Sequence, residues 1–408
     1  MTLLFLNGSL RDFLAQQTRD PRRNRDYTVS QILLALIYPI VLGLDRIETA
    51  SFLRSNGTFK YLTGLPGFPD PQTLRRFLRK APGHFREQLH RANDRQLQRF
   101  IHRPERRSRL VFDLDSTVVT VFGKQHGAEV GYNPKYRGKR SYHPLLCLEA
   151  RSSFLWGAEL RPGNAGTWEG SPALLETSFA LVPPEIRELR FRADAGFGYD
   201  PVLKPLEAQR ANYAVVARMT AGLKRLLPGL RYEFANTRWE CAEGEFRAHG
   251  WPQARCIVVA RRLIEEDDSQ PTLFAMGRYL YRACVTNLKL TPAGVWHFYD
   301  GRAAMEPRIH ELREDFALRK IPTASFEANA LSLEVIRLAY NLVTAFQRTC
   351  LPESWQGHTL PKLRFKLFLL PGELTRPQNR PTLRLKDSSL IQRLAEDMLA
   401  RVAKLSPL

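Results

Sequence analysis

Tyr299, Arg302, Glu306 and Arg313 stand three, four and seven residues apart in the stretch YDGRAAMEPRIHELR. At ~100° per residue a helix would place all four within an arc of roughly 60°. One carboxylate would then share a face with three groups able to hold a phosphate. Mixed charge at such spacings also keeps a surface helix soluble and weakly self-paired, so the stretch gains meaning only from acids elsewhere in the chain. Asp113 and Asp115 lie two apart in the alternating run RLVFDLDSTVVTVFG, so on a strand they point to the same face. Asp194 closes a second such run, ELRFRAD, just before AGFG. Carboxylates at strand ends, facing a crevice, are where α/β sheets place their chemistry, although any one of them also serves as a cap or turn residue. Oxygen ligands from three separate elements suit a hard divalent cation, Mg²⁺ or Mn²⁺. With a substrate phosphate present, such a set holds two ions roughly 3.5–4 Å apart. Without metal the clustered carboxylates repel.

Composition narrows the partner. The 408 residues are 44% hydrophobic, enough for a substantial core, and carry 61 Lys and Arg against 41 Asp and Glu, a net charge of +20. Such an excess suits a polyanion, most simply nucleic acid. The longest apolar run, Ile32–Leu44, is too short to span a bilayer and contains Pro39. It reads as a buried, kinked helix. The N-terminus has no signal-peptide layout. Cys147, Cys241, Cys256, Cys284 and Cys350 are scattered and form no CxxC pair, which fits free thiols in a reducing cytoplasm. There is no HExxH and no GxxxxGK[ST], so zinc proteolysis and P-loop nucleotide hydrolysis lack their usual signatures.

The elements that must position the acids follow in order. Residues 1–107 read as helical, with a Pro/Gly turn before a short amphipathic helix at Pro71. From Arg75 to Arg109 there are 12 Lys and Arg and 3 Asp and Glu, net +9. Such a unit suits a helix-turn-helix-type DNA reader or a solvated basic helix. From Leu110 three strands are followed by helix, strand, helix and strand, the pattern of a mixed sheet with helices on its faces. Residues 218–295 turn strand-rich and read as an insertion. Helix returns at the opening stretch and again from about Glu327 to Arg348. Lys362–Lys386 is a basic tail, with 7 Lys and Arg against one Glu.

These residues together resemble the DDE transposases of bacterial insertion sequences. The similarity is to the supergroup marked by Y-x2-R-x3-E-x6-K, read here as Tyr299, Arg302, Glu306 and Arg313. LDST ending at Thr117 resembles the first-aspartate strand and RADAGFG the second-aspartate segment. GYNPKYRGKRSYHPLL and FLLPGEL also resemble one branch of the supergroup. Two departures stand out: Arg313 replaces the family lysine, and Pro307 follows Glu306 and disfavours helix at the residue before it. A helix is therefore expected to begin only near Glu306, with Tyr299 and Arg302 on its approach.

The resemblance implies an RNase H-like α/β mixed-sheet catalytic domain in two parts, 108–217 and 296–350. A β-rich insertion, 218–295, interrupts it. A helical DNA-binding domain, 1–107, precedes it, and a basic segment, 351–408, follows. It implies Asp115, Asp194 and Glu306 as ligands of two Mg²⁺ (or Mn²⁺) ions, with Asp113 in reserve. Tyr299, Arg302 and Arg313 would contact phosphates near the cut. Lys135, Arg137, Lys139 and Arg140, in a stretch with net charge +4 from Lys124 to Arg140, would lie against DNA or form a solvated loop. Related enzymes stack a flipped base on the insertion while they form a DNA hairpin. Trp239, Trp251 and Trp296 are candidates, each also readable as core. The implied activity is metal-dependent cleavage at the element's own terminal repeats and transfer of the freed ends to target DNA. Pairing two ends implies at least a dimer on DNA. A nuclease that does not join, or a non-catalytic DNA-binding protein, are the alternatives.

Overall fold

In a computed structural model the described residues are 9–18, 26–101 apart from 64, 66 and 82, 109–264, 274–385 and 389–403. The helical N-terminal part contains α1 (Ser9–Gln17), α2 (Val29–Leu42), α3 (Ala50–Ser55), α4 (Gly57–Thr63), α5 (Pro71–Lys80) and α6 (Gly83–Ile101). Each boundary has a local cause. Thr28 and Gln31 close a capping box at the start of α2, and Gly43 ends it at φ +83°. Asp70 caps α5, with Pro71 in its first turn. The helix α2 runs on through Pro39.

The sheet strands are β1 (Arg109–Ser116), β5 (Leu145–Glu149), β6 (Leu155–Glu159), β7 (Glu188–Ala193), β8 (Asn212–Val216), β9 (Glu233–Phe234), β10 (Glu240–Phe246), β11 (Arg255–Leu263), β12 (Phe274–Met276) and β13 (Tyr279–Thr286). They form one ten-stranded sheet in the order β6-β5-β1-β7-β8-β13-β11-β10-β9, with β12 paired to β13. Pairs β1/β7 and β7/β8 are parallel and the others antiparallel. The first five strands, β6-β5-β1-β7-β8, with α7 (Ser171–Ala180) and α8 (Asp200–Ala208) in the crossovers, are the RNase H-like mixed sheet expected from the sequence. The strand-rich stretch adds its hairpins edge to edge onto β8 through β13. It also contains a short helix, α9 (Ala221–Leu226), that strand spacing alone does not reveal. A separate small sheet, β2 (Val119–Thr120), β4 (Arg140–Tyr142) and β3 (Glu129–Val130), follows β1 directly.

Helix returns as α10 (Pro292–Asp300), a 3₁₀ turn (Gly301–Ala304) and α11 (Met305–Glu314). Pro307 lies in the first turn of α11, where its missing N–H costs nothing. The expected approach to Glu306 is therefore itself helical. The long α12 (Phe326–Cys350) is buried along most of its length and packs between the N-terminal helices and β6. The basic tail is not featureless. It holds α13 (Leu360–Leu363), a π-turn, a hairpin of β14 (Gly372–Thr375) and β15 (Thr382–Leu385), and α14 (Ser389–Ala403).

The edge strand β6 is blunted by α12. The Asn341 side chain accepts from Leu155 N–H at 2.9 Å and donates to its carbonyl at 2.9 Å, imitating a neighbouring strand. Arg337, fully buried, donates to the carbonyls of Leu155 and Trp156 and to Asp94 at 2.7 Å. Glu334, one turn away, meets Asn93 at 2.9 Å and His90 at 2.8 Å. This network joins α6, α12 and the sheet edge.

The hydrogen bond to Glu334 raises the His90 pKa above 6.5. Burial pushes the Glu334 carboxyl up, but the bond from His90 and the charge of Arg337 hold it below 4.5. His90 contributes stability that is fully present below its unfolded pKa and is lost as pH rises through the raised folded value. Glu334 contributes stability present above its unfolded value and lost as pH falls through the depressed one. Urea titrations should therefore show His90→Ala losing more stability at about pH 6 than at about pH 9. Arg337→Leu, which strands two carboxylates, should cost about 3–5 kcal/mol near neutrality.

Candidate active site

Asp115 is the last residue but one of β1, and Asp194 immediately follows β7. The two strands are parallel neighbours, with Asp113 opposite Arg192 and Leu114 opposite Ala193. The next pair along this register is Asp115 and Asp194. Both therefore emerge at the carboxyl ends of the central strands. Asp115 accepts from Ser116 N–H at 2.8 Å, and Asp194 from Gly196 N–H at 2.8 Å. Gly196 packs so closely on the Thr167 side chain that a Cβ would collide with it, which accounts for the glycine after Asp194. Burial pushes the Asp115 carboxyl up to about 6, with the Arg302 charge opposing and Asp194 adding to the shift. Two carboxylates therefore end neighbouring strands, close enough for each to feel the other's charge.

Arg302, 8% exposed, supplies positive charge from the 3₁₀ turn, with Nη2 2.7 Å from Asp115 Oδ2. Its Nε is buried without a protein partner. Burial pushes the Tyr299 hydroxyl up, and that hydroxyl feels Arg302, Asp194 and Asp115. Asp115, Asp194, Tyr299 and Arg302 are thus brought together. Arg302 is engaged with the first-strand acid. Glu306 is exposed on the first turn of α11, and Arg313 lies two turns further along it. Among the described residues no group of three or more His, Cys, Asp and Glu is gathered closely enough to hold a metal ion. Lys135, Arg137, Lys139 and Arg140 are all exposed on the loop leading into β4 and on its first residue, beside the end of β1. Trp239 is half-buried with Arg262 and Arg282 over its ring, at 5.6 and 4.5 Å. Trp296 is buried beneath the same Arg282 at 4.1 Å, and Trp251 is buried against Arg255 and Phe246. The last two are core residues.

Asp113 has a different occupation from Asp115. It is 1% exposed and accepts from Arg192 Nε at 2.6 Å and Nη2 at 2.8 Å, a bidentate fork between adjacent strands. The remaining Arg192 Nη1 donates to the Phe298 carbonyl at 2.8 Å, one residue before Tyr299. Gly301 packs on Arg192 so tightly that a Cβ would overlap Nη1. One guanidinium therefore ties β1, β7 and the turn that carries Arg302. Sequence reasoning missed Arg192, although a signal was present: DLD and RAD place an opposite-charge pair two residues before each strand-end aspartate. His143 was also missed. It is buried near Asp194, hydrogen-bonds Ala165, and burial lowers its pKa.

A mixed sheet of this order places these acids at the carboxyl ends of its central strands, where α/β folds put their chemistry. The family model described as transposase DDE domain group 1 matches residues 6–407, and the chain belongs to that family. It is a DDE transposase, an enzyme that cuts and transfers DNA strands. A cryo-EM structure of the piggyBac transposase synaptic complex with hairpin DNA is similar in fold. It has a TM-score of 0.50 at 10% identity, covering 100% of this chain and 80% of that one. No curated protein sequence matches.

The pin has a measurable weight. Asp113→Ala leaves a buried, unpaired guanidinium and should lower stability by about 3–5 kcal/mol. Gly301→Ala should cost about 1–3 kcal/mol by overpacking. Guanidinium or urea unfolding midpoints would check both, and unchanged midpoints would contradict this packing.

Proposed function

We propose that this transposase cuts DNA at the terminal repeats of its own element and joins the freed 3′-ends to target DNA, by cut-and-paste through a hairpin intermediate. Asp115, Asp194 and Glu306 are the acids of the reaction. The reading is carried by one observation: two half-buried carboxylates stand at adjacent parallel strand ends, with Arg302 paired to one of them.

The donor set fits hard divalent cations, because it offers carboxylate oxygens alone, two of them at the ends of adjacent strands. Asp115, Asp194 and Glu306 would hold two Mg²⁺ or Mn²⁺ ions. Bound there, such ions lower the pKa of an attacking water or 3′-hydroxyl and neutralise the leaving oxygen. Glu306, exposed at the head of α11, joins the pair when DNA and metal are present. Arg302 balances Asp115 and contacts the phosphate near the cut. Tyr299 and Arg313 hold the strand being cut. The half-buried Tyr299 hydroxyl donates to the phosphate. Lys135, Arg137, Lys139 and Arg140 take up the DNA backbone beside the site. Trp239, half-exposed between two guanidiniums, is the tryptophan of the 218–295 insertion best placed to stack on a flipped base.

Residues 1–107 act as the first DNA-binding domain and 351–408 as a basic accessory segment. The two catalytic parts are 108–217 and 296–350. Two copies pair on the two element ends in a synaptic complex. Among the described residues no helix is long and apolar enough to cross a membrane. All five cysteines are free, which suits work in the cytoplasm.

The test is incubation of the protein and Mg²⁺ with a plasmid carrying the DNA that flanks its own gene. Mapped breaks at inverted repeats with hairpin ends are expected, followed by strand-transfer products. Asp194→Ala and Glu306→Ala should reduce cleavage to background while binding persists in a gel-shift assay. Cleavage retained by Glu306→Ala would move the third acid elsewhere. Breaks without joined products would leave a nuclease, and binding without breaks in the wild type would leave a DNA-binding protein.

A further inference from the structure

The β14–β15 hairpin is set apart from the rest of the molecule. It forms a two-stranded sheet of its own, and none of its described side chains is buried. Such a ribbon is marginally stable by itself. What it displays is charge. Arg376, Arg380 and Arg384 are exposed, against a single acid, Glu373. Its tip is Pro377-Gln378-Asn379, flanked by two of those arginines. Gln378 and Asn379 are held at φ +51° and +60°, a region that side chains of their kind seldom adopt in succession. Arg376 lies over the Tyr61 ring at 5.7 Å, so the base of the tip is seated against α4 in the N-terminal helical part. In the same N-terminal helical part α5 carries the exposed Arg76, Arg79 and Lys80.

We propose that the β14–β15 hairpin is a DNA-binding wing. It extends the basic surface of the N-terminal helices and contacts duplex DNA through Arg376, Arg380 and Arg384. A two-stranded ribbon has the width to enter a groove of the duplex. The arginines neutralise phosphates along its flanks, and the amides of Gln378 and Asn379 face base edges at the tip. Duplex DNA is the occupant that the charge selects, since an exposed cationic ribbon with one carboxylate offers little to an apolar or basic protein surface. The proposal rests on the reading of the chain as a transposase that binds its own element ends.

The test measures DNA affinity against salt for the full-length protein. The probe is a duplex from the DNA flanking its gene, with an unrelated duplex beside it. Each phosphate contact contributes about 0.9 to the slope of log affinity against log salt. The variant R376A/R380A/R384A should lose about 2.7 from that slope. From roughly 50 to 200 mM salt the wild type should then lose about fortyfold more affinity than the variant. A charge-matched control, R187A/K204A/R210A, removes exposed cations from α8 and from the amino ends of β7 and β8, and should keep the wild-type slope. Thermal unfolding should be unchanged in both. A wing variant that keeps the full slope overturns the proposal and leaves the transposase reading standing. If that variant instead loses self-association, the hairpin belongs to a second copy of the chain, and the proposal fails. Wild-type protein without salt-sensitive binding to either duplex overturns the wing and the reading beneath it together.

Discussion

The ion pair between Asp113 and Arg192 is the constraint on which the site's geometry depends. It lies beneath the crevice, two residues back from each of the strand-end aspartates, and fixes β1 against β7. A buried guanidinium is tolerated only when its donors are met. Here Asp113 takes two and the Phe298 carbonyl a third. Meeting the third donor fixes the end of α10 over the sheet and delivers Tyr299 and Arg302 to Asp115. The absent side chain at Gly301 is what lets the backbone come so close. Burial pushes the Asp113 carboxyl up, with Arg192 opposing.

A second set of buried and half-buried charges does the same at the sheet edge, β6. Arg337, Glu334, His90 and Asp94 join α12 to α6, while Asn341 finishes the hydrogen bonding of β6. The N-terminal helices are thus bound to the catalytic sheet through one long helix. Arg364 adds a third tie, donating to the last carbonyls of α2 and to Asp315 after α11. The N-terminal helices and the strand-end carboxylates therefore share one connected frame.

Arg302 shows how the site divides its labour. Close to a strand-end carboxylate, it forms an ion pair with Asp115. A pair of acids out of water requires positive charge nearby, and a guanidinium with a spare N–H can serve an acid and a phosphate together. Trp239 is similar: its ring is already bracketed by cations.

The strands and their order were legible because alternation and β-branching have a period of two, which only a strand explains. Asp115 and Asp194 stood at the ends of two such runs, and the long α12 announced itself by helical spacing. The tail was not legible. Its helices and hairpin are short, amphipathic or polar, and basic composition masks their periodicity. Nor did the sequence say that Asp113 and Asp115, equivalent in type and face, would differ in use. That depended on Arg192 arriving from a strand 79 residues away. The same holds for Tyr299, Arg302 and Glu306. Their spacing was fixed by the sequence, but a 3₁₀ turn between two helices set Tyr299 and Arg302 inward and left Glu306 facing out. Residue types and local periodicity are written in the chain, and the sequence determined them. Which charges are desolvated, and which partner each receives, is a property of the packed molecule, and only the tertiary structure decided it.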